Sequence, residues 1–160
     1  RSTSTPRGRR ALRSRIAREE AYELQESKAP VEGRELAGMF FFPPLQGVVT
    51  STFDRAQKHF GIDIVANADA AVKACQAGTV VFAGWTTNEG HVLQLQHGND
   101  LVSVYKHNSV LLKQVGDRVK AGEAIAIVGN SGELTSGPHL HLELWYKGDP
   151  VDPQTYMVFK

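Results

Sequence analysis

The stretch His91-Val92-Leu93-Gln94-Leu95-Gln96-His97-Gly98-Asn99-Asp100-Leu101-Val102-Ser103-Val104-Tyr105-Lys106 decides the fold. Leu93 and Leu95 alternate with Gln94 and Gln96, the period of two expected of a half-buried strand. Val102 and Val104 alternate with Ser103 and Tyr105 in the same way, which sets the valines where the leucines stand. Gly98-Asn99-Asp100 supplies the chemistry of a hairpin loop between the two runs. Outward from this hairpin, short β-type runs broken by glycine and Asn/Asp turns continue in both directions. Strands are expected near 47–53, 62–65, 71–74, 78–84, 91–97, 101–106, 123–129 and 139–146. No long helical pattern follows residue 28, and no internal repeat is evident. The expected fold is all-β, an antiparallel two-layer sandwich or barrel-like core.

The N-terminal stretch has a different texture. Residues 1–28 carry seven arginines and Lys28 against four glutamates, opening with a Ser/Thr/Pro/Gly tract and continuing in helix formers. Leu12, Ile16 and Leu24 are too sparse for a strong amphipathic face. Residues 1–38 therefore read as a basic helical or flexible arm and linker, and residues 39–160 as the folded domain. The whole chain, 160 residues, suits one core. Its apolar share of 41% and charged share of 22% are those of a globular protein. A net charge of +1 predicts neither a nucleic-acid nor a membrane partner. Cys75, the single cysteine, excludes an internal disulfide framework and a multi-cysteine zinc site, and reads as a buried thiol. The longest apolar run, Met39 to Phe42, is stopped by Pro43-Pro44, far short of the roughly 18–20 residues of a membrane span. Starting at Arg1 without a secretion signal, the chain reads as a processed piece, any export signal or anchor lying upstream.

The chemistry is concentrated in six histidines: His59, His91, His97, His107, His139 and His141. In Gly137-Pro138-His139-Leu140-His141-Leu142-Glu143-Leu144, a strand sends His139, His141 and Glu143 to one face and the three leucines to the other. Two imidazoles then stand about 6.6 Å apart along the strand over an apolar anchor. One can bind a metal while its neighbour leans over the metal's open position. Glu143 reads either as a carboxylate that orients a neighbouring imidazole or as a solvated strand residue.

A second segment, His59-Phe60-Gly61-Ile62-Asp63, offers a further imidazole and a carboxylate. In a straight strand their Cα atoms would be about 13 Å apart, so the chain must bend to let them share a cation, and Gly61 is the permissive residue. Two histidines and one carboxylate form the three-ligand, one-open-position set of a catalytic zinc. No HExxH helix occurs, which excludes the zincin arrangement.

In this combination the chain resembles the lysostaphin-type (LytM-like) zinc metallopeptidases, which cut peptidoglycan cross-links. The matching elements run in the family's order: His59-x-Gly61-x-Asp63; Val72-x-Ala74-x-x-Ala77-Gly78-x-Val80; a strand ending at His97; Tyr105-x-His107; Val115-Gly116-Asp117-x-Val119-x-x-Gly122; Gly129-Asn130-Ser131-Gly132; and Ser136-Gly137-Pro138-His139-Leu140-His141-x-Glu143. The resemblance covers roughly residues 40–156. It implies that His59, Asp63 and His141 ligate zinc and that His107 and His139 are the catalytic histidines. It further implies a peptidoglycan endopeptidase of the bacterial envelope, periplasmic or extracellular. Ser136, Leu142 and Gly90-His91 depart from the family's usual residues; these positions line the site and ligate nothing.

The site's charge inventory indicates how such a centre would work. Zinc held by two neutral imidazoles and one carboxylate keeps a net positive charge and lowers the pKa of its water towards about 7. His139 or His107 then takes the water's proton or steadies the oxyanion, and assists the leaving amine. His91 and His97 read as structural strand residues, and Tyr105 and Trp145 as packing. Two other classes share features with this sequence. A non-catalytic peptidoglycan-binding or amidase-activating module is the main alternative. A biotinyl/lipoyl-like or phosphocarrier domain shares the turn at Val119 to Glu123 but lacks a lysine between two hydrophobic residues at a hairpin tip.

Overall fold

The computed structural model describes residues 39–129 and 138–159. Its strands are β1 (Val48–Ser51), β2 (Ile62–Val65), β3 (Ala71–Lys73), β4 (Gly78–Thr86), β5 (Gly90–Gln96), β6 (Leu101–Leu111), β7 (Arg118–Val119), β8 (Ala124–Val128), β9 (His139–Tyr146) and β10 (Asp149–Val151). A single 3-10 turn, Pro153–Thr155, is the one helical element among the described residues. The chain is thus all-β, as expected. The basic arm assigned to residues 1–38 and the Asn130 to Gly137 part of the family pattern lie outside the described residues.

All pairings are antiparallel, and the main ladder runs β1-β2-β9-β6-β5-β4-β7. Its two ends do not pair with each other, so the sheet is open and not a barrel. β6 is the structural hinge. Leu101 to Lys106 pair with β9 on one side, and Val102 to Tyr105 pair with β5 on the other. Beyond His107 the same strand turns to β8, which pairs in turn with β3. The hairpin from which the fold was read is present, with Asn99 and Asp100 both in the left-handed region, as a tight polar turn requires.

The core lies on the face that receives Leu93, Leu95, Leu140, Leu142 and Leu144, all fully buried. Each such side chain contributes about 1.5–3 kcal/mol of transfer free energy. β6 departs from the expected orientation. Ser103 and Tyr105 share the face of Leu95 and Leu93, their register partners, whereas Val102 and Val104 share the opposite face with Gln96 and Gln94. The buried hydroxyls are tolerated because they bond one another and their neighbours: Ser103 Oγ lies 2.8 Å from Tyr105 OH and 2.7 Å from His97 Nε2. The valines line a groove on the other face of the sheet. Three extents also differ from expectation: β6 runs on to Leu111, and β7 and β10 were not anticipated.

Candidate metal centre

Asp63 and His141 are register partners across β2 and β9, so the ladder itself sets their side chains on one face. His59 reaches them from a tight turn. Asp54 and His59 exchange both backbone hydrogen bonds at 2.9 Å, and Asp54 Oδ1 accepts from the amides of Ala56 and Gln57 inside the turn. That turn delivers His59, and the chain then bends at Gly61, as expected between His59 and Asp63. Gly61 has another reason to lack a side chain: a Cβ there would meet the Leu142 carbonyl oxygen at 2.4 Å. β9 passes too close for any other residue.

The donor atoms converge. His141 Nδ1 is 2.7 Å from Asp63 Oδ1, and His59 Nε2 is 3.5 Å from Asp63 Oδ2. One ligand atom from each of the three residues lies within 4.8 Å of the others. A tetrahedral zinc with ligands at about 2.0–2.2 Å spaces them by roughly 3.4 Å, so this set fits the ion. His59 is also held in the tautomer a ligand needs. Thr52 O lies 2.8 Å from His59 Nδ1 and can only accept, so Nδ1 carries the proton and the Nε2 lone pair faces Asp63. His141 lies between two carboxylates, Asp63 Oδ1 at 2.7 Å from Nδ1 and Glu143 Oε2 at 2.9 Å from Nε2, so a cation taking the place of the Nδ1 proton would leave Nε2–H on Glu143.

The electrostatics of the set follow from these contacts. Burial pushes the Asp63 carboxyl up, but the hydrogen bond to His141 and the charges of His141, His59 and His139 outweigh it and hold the group below its ordinary value. His141 shows the converse. Burial pulls it down, yet its hydrogen bonds to Asp63 and Glu143 raise it above the usual imidazole value. Burial also opposes Glu143, whose carboxyl is nevertheless held at about 2 by His141, Lys106 and Trp145.

His107 and His139 stand beside this set. Their ring centroids are 5.0 Å apart, and His107 is 6.3 Å from His141. His107 occupies the left-handed backbone region (φ 70°), costly for a non-glycine residue, at the point where β6 changes partners. Two contacts hold it there: its amide donates to Glu89 O, and the Asn108 side chain donates to the carbonyls of His91 and Tyr105. His139 opens β9 with its amide on Gly129 O. The five residues singled out from the sequence are thus brought together. His91 and His97 are not among them: His91 packs edge-on to Trp85, and His97 lies on the core side between Ala77 O and Ser103. Cys75 is buried as expected, and burial pushes its thiol up. Two residues around Glu143 escaped the sequence reading, Lys106 and Glu89, and Trp145, read as packing, also donates its indole N–H to Glu143. Only the β6–β9 register, which pairs Lys106 with His141, would have pointed to the first.

Fold and donor set together define an antiparallel β domain with a candidate two-histidine, one-carboxylate metal site. Residues 57–153 match the model of peptidase family M23, and the chain belongs to that family. It is 37% identical over 116 residues to the murein hydrolase activator NlpD of Escherichia coli K12, covering 71% of this chain and 30% of that protein. It is also 37% identical over 95 residues to the DD-carboxypeptidase/endopeptidase Mpg of Neisseria meningitidis, covering 59% of this chain and 22% of that protein. The chain therefore matches under a third of either relative. Among solved structures it resembles a zinc-containing peptidase from Vibrio cholerae, with a TM-score of 0.68 and 27% identity over 76% of this chain and 41% of that one.

Proposed function

We propose that the chain is a zinc-dependent peptidoglycan endopeptidase that cleaves stem-peptide cross-links in the bacterial envelope. The observation that carries this reading is the convergence of His59, Asp63 and His141 within 4.8 Å, beside a second pair of histidines 5.0 Å apart. Bound zinc would supply an acidified water and polarise the scissile carbonyl. His59 Nε2, an Asp63 oxygen and His141 Nδ1 would hold it. His107 and His139 flank the three ligands, and between them take the proton of the attacking water, steady the oxyanion and return a proton to the leaving amine. Peptidoglycan as the substrate is supported by the M23 match and by the relatives' names.

Digestion of purified peptidoglycan of defined cross-link type, with fragments identified by mass spectrometry, tests the reading. Wild type releases cross-link-cleaved muropeptides, and His139→Ala keeps its zinc but loses this activity. The similarity to a murein hydrolase activator favours a second reading, a domain that stimulates another hydrolase without cutting anything itself. Zinc-loaded wild type that cleaves no cross-link type would transfer the assignment to that reading.

A further inference from the structure

Resting on the reading that His59, Asp63 and His141 hold zinc, we propose that Glu143 is the positioning residue of the centre. It fixes the orientation and tautomer of His141 and, its own oxygens being filled, takes no proton in the reaction. Glu143 follows His141 by two residues on β9, so both project from the same face. Its side chain is nearly buried, at 10% exposure, and both oxygens are engaged. Oε2 accepts from His141 Nε2 at 2.9 Å and from Lys106 Nζ at 2.9 Å, while Oε1 accepts from Trp145 Nε1 at 2.8 Å.

Three consequences follow from this inventory. The contact to His141 is on the ring nitrogen that faces away from Asp63, so Glu143 acts through the imidazole and is not itself one of the converging donors. A carboxylate receiving three N–H donors in a nearly buried setting has little capacity left to orient or deprotonate a water. Among the described residues, Glu143 is the other carboxylate beside the ligands, and it thus has a different task from the glutamate base of a zincin. Finally, Glu143 is itself braced. Lys106 also binds Glu89 Oε2 at 2.8 Å, and the Glu89 carbonyl accepts the His107 amide. Glu89, at the end of the β4–β5 turn, ties the mount of the proposed ligand His141 to the mount of the proposed catalytic His107.

Zinc affinity, measured by competition with a chromophoric chelator, and the visible spectrum of the cobalt-substituted protein separate this role from simple packing. Glu143→Ala weakens zinc binding about 10–100-fold and changes the cobalt spectrum. Glu143→Gln is also impaired, because with its carbonyl oxygen on His141 its amide nitrogen opposes the Trp145 N–H. Adding Trp145→Phe removes that opposed donor and restores most of the affinity. The double variant also carries the test if Glu143→Ala does not fold. Glu123→Gln, which breaks only the exposed pair with Lys113, leaves both readouts unchanged. Unaltered zinc affinity and cobalt spectrum in folded Glu143→Ala would overturn the proposal while leaving the zinc assignment intact. Wild type that takes up no zinc would overturn that assignment, and this proposal with it.

Discussion

His97 and His141 are both well-buried imidazoles held by two hydrogen-bonding partners, yet they sit on opposite faces of the sheet and are driven in opposite directions. His97 faces the core, where its partners are a backbone carbonyl and a serine hydroxyl. Burial there pulls its pKa below the ordinary value, and the bond to Ala77 O only partly offsets this. His141 faces the groove between two carboxylates, which overcome burial and raise it. Burial by itself therefore does not distinguish a structural histidine from a site histidine; the charge of its partners does. A histidine among neutral acceptors serves the fold. One placed between Asp63 and Glu143 sits where positive charge is favoured.

Removing each imidazole breaks the comparison most sharply. His141→Ala should abolish stoichiometric zinc uptake, a larger loss than the roughly 10–100-fold that removal of an outer hydrogen-bond partner costs. The unfolding midpoint of wild type should rise when zinc is added, because the ion binds only the folded chain. This rise should vanish in His141→Ala and persist in His97→Ala. A zinc-dependent rise in His141→Ala would show that the ion sits elsewhere.

His97→Ala should give the larger loss of metal-free stability attributable to the core. It leaves a cavity and strands the Ala77 carbonyl and the Ser103 hydroxyl, at a cost of about 2–4 kcal/mol. Tyr105→Phe should cost less, about 1–2 kcal/mol. Packing is kept, but the Cys75 amide and Ser103 lose a buried partner. Urea unfolding of the metal-free proteins measures both. If Tyr105→Phe matches wild type, the hydroxyl network is not what permits polar residues on this face.

The fold and the site were legible in the sequence to different depths. The leucine face of β9 and the five candidate residues that the fold brings together could be picked out because a single strand's alternation, or a motif's order, is local information. The inward set of β6 could not. Alternation in Val102-Ser103-Val104-Tyr105 says that the faces differ, not which one is covered, and here hydrogen-bonded hydroxyls took the core while the valines line the groove. Glu143 was ambiguous for a related reason. Its partners come from β6 and its own strand, and only the register brings Lys106 opposite His141. β10 was hidden because Pro150 argues against a strand, although an edge position that needs no amide donor tolerates it. Gly61 was legible as the bend residue but not for its close approach to Leu142, which is 81 residues further along the chain.

The smallest expected effect tests the cause of the contrast itself, through pH. His97 has a folded-state pKa below its unfolded value, so the unfolded chain binds the extra proton first as pH falls. Its contribution to stability is complete above about pH 6.5 and is lost as pH drops from there towards the folded value. His141 in the metal-free protein has the reverse sign: its contribution is present below about 6.5 and is lost as pH rises through its raised folded value. Comparing wild type with His97→Gln under metal-free conditions cancels the His141 part, which both proteins share. Glutamine can still donate to Ala77 O and accept from Ser103, but it does not titrate. The stability gap between the two proteins should hold steady from pH 8 to 7 and then move against wild type as pH falls to 5. The slope of that change is bounded by the roughly 1.4 kcal/mol per pH unit that one proton accounts for. A gap that stays constant from pH 8 to 5 would mean that His97 titrates alike in both states. Neutral partners and burial would then not be what sets it apart from His141.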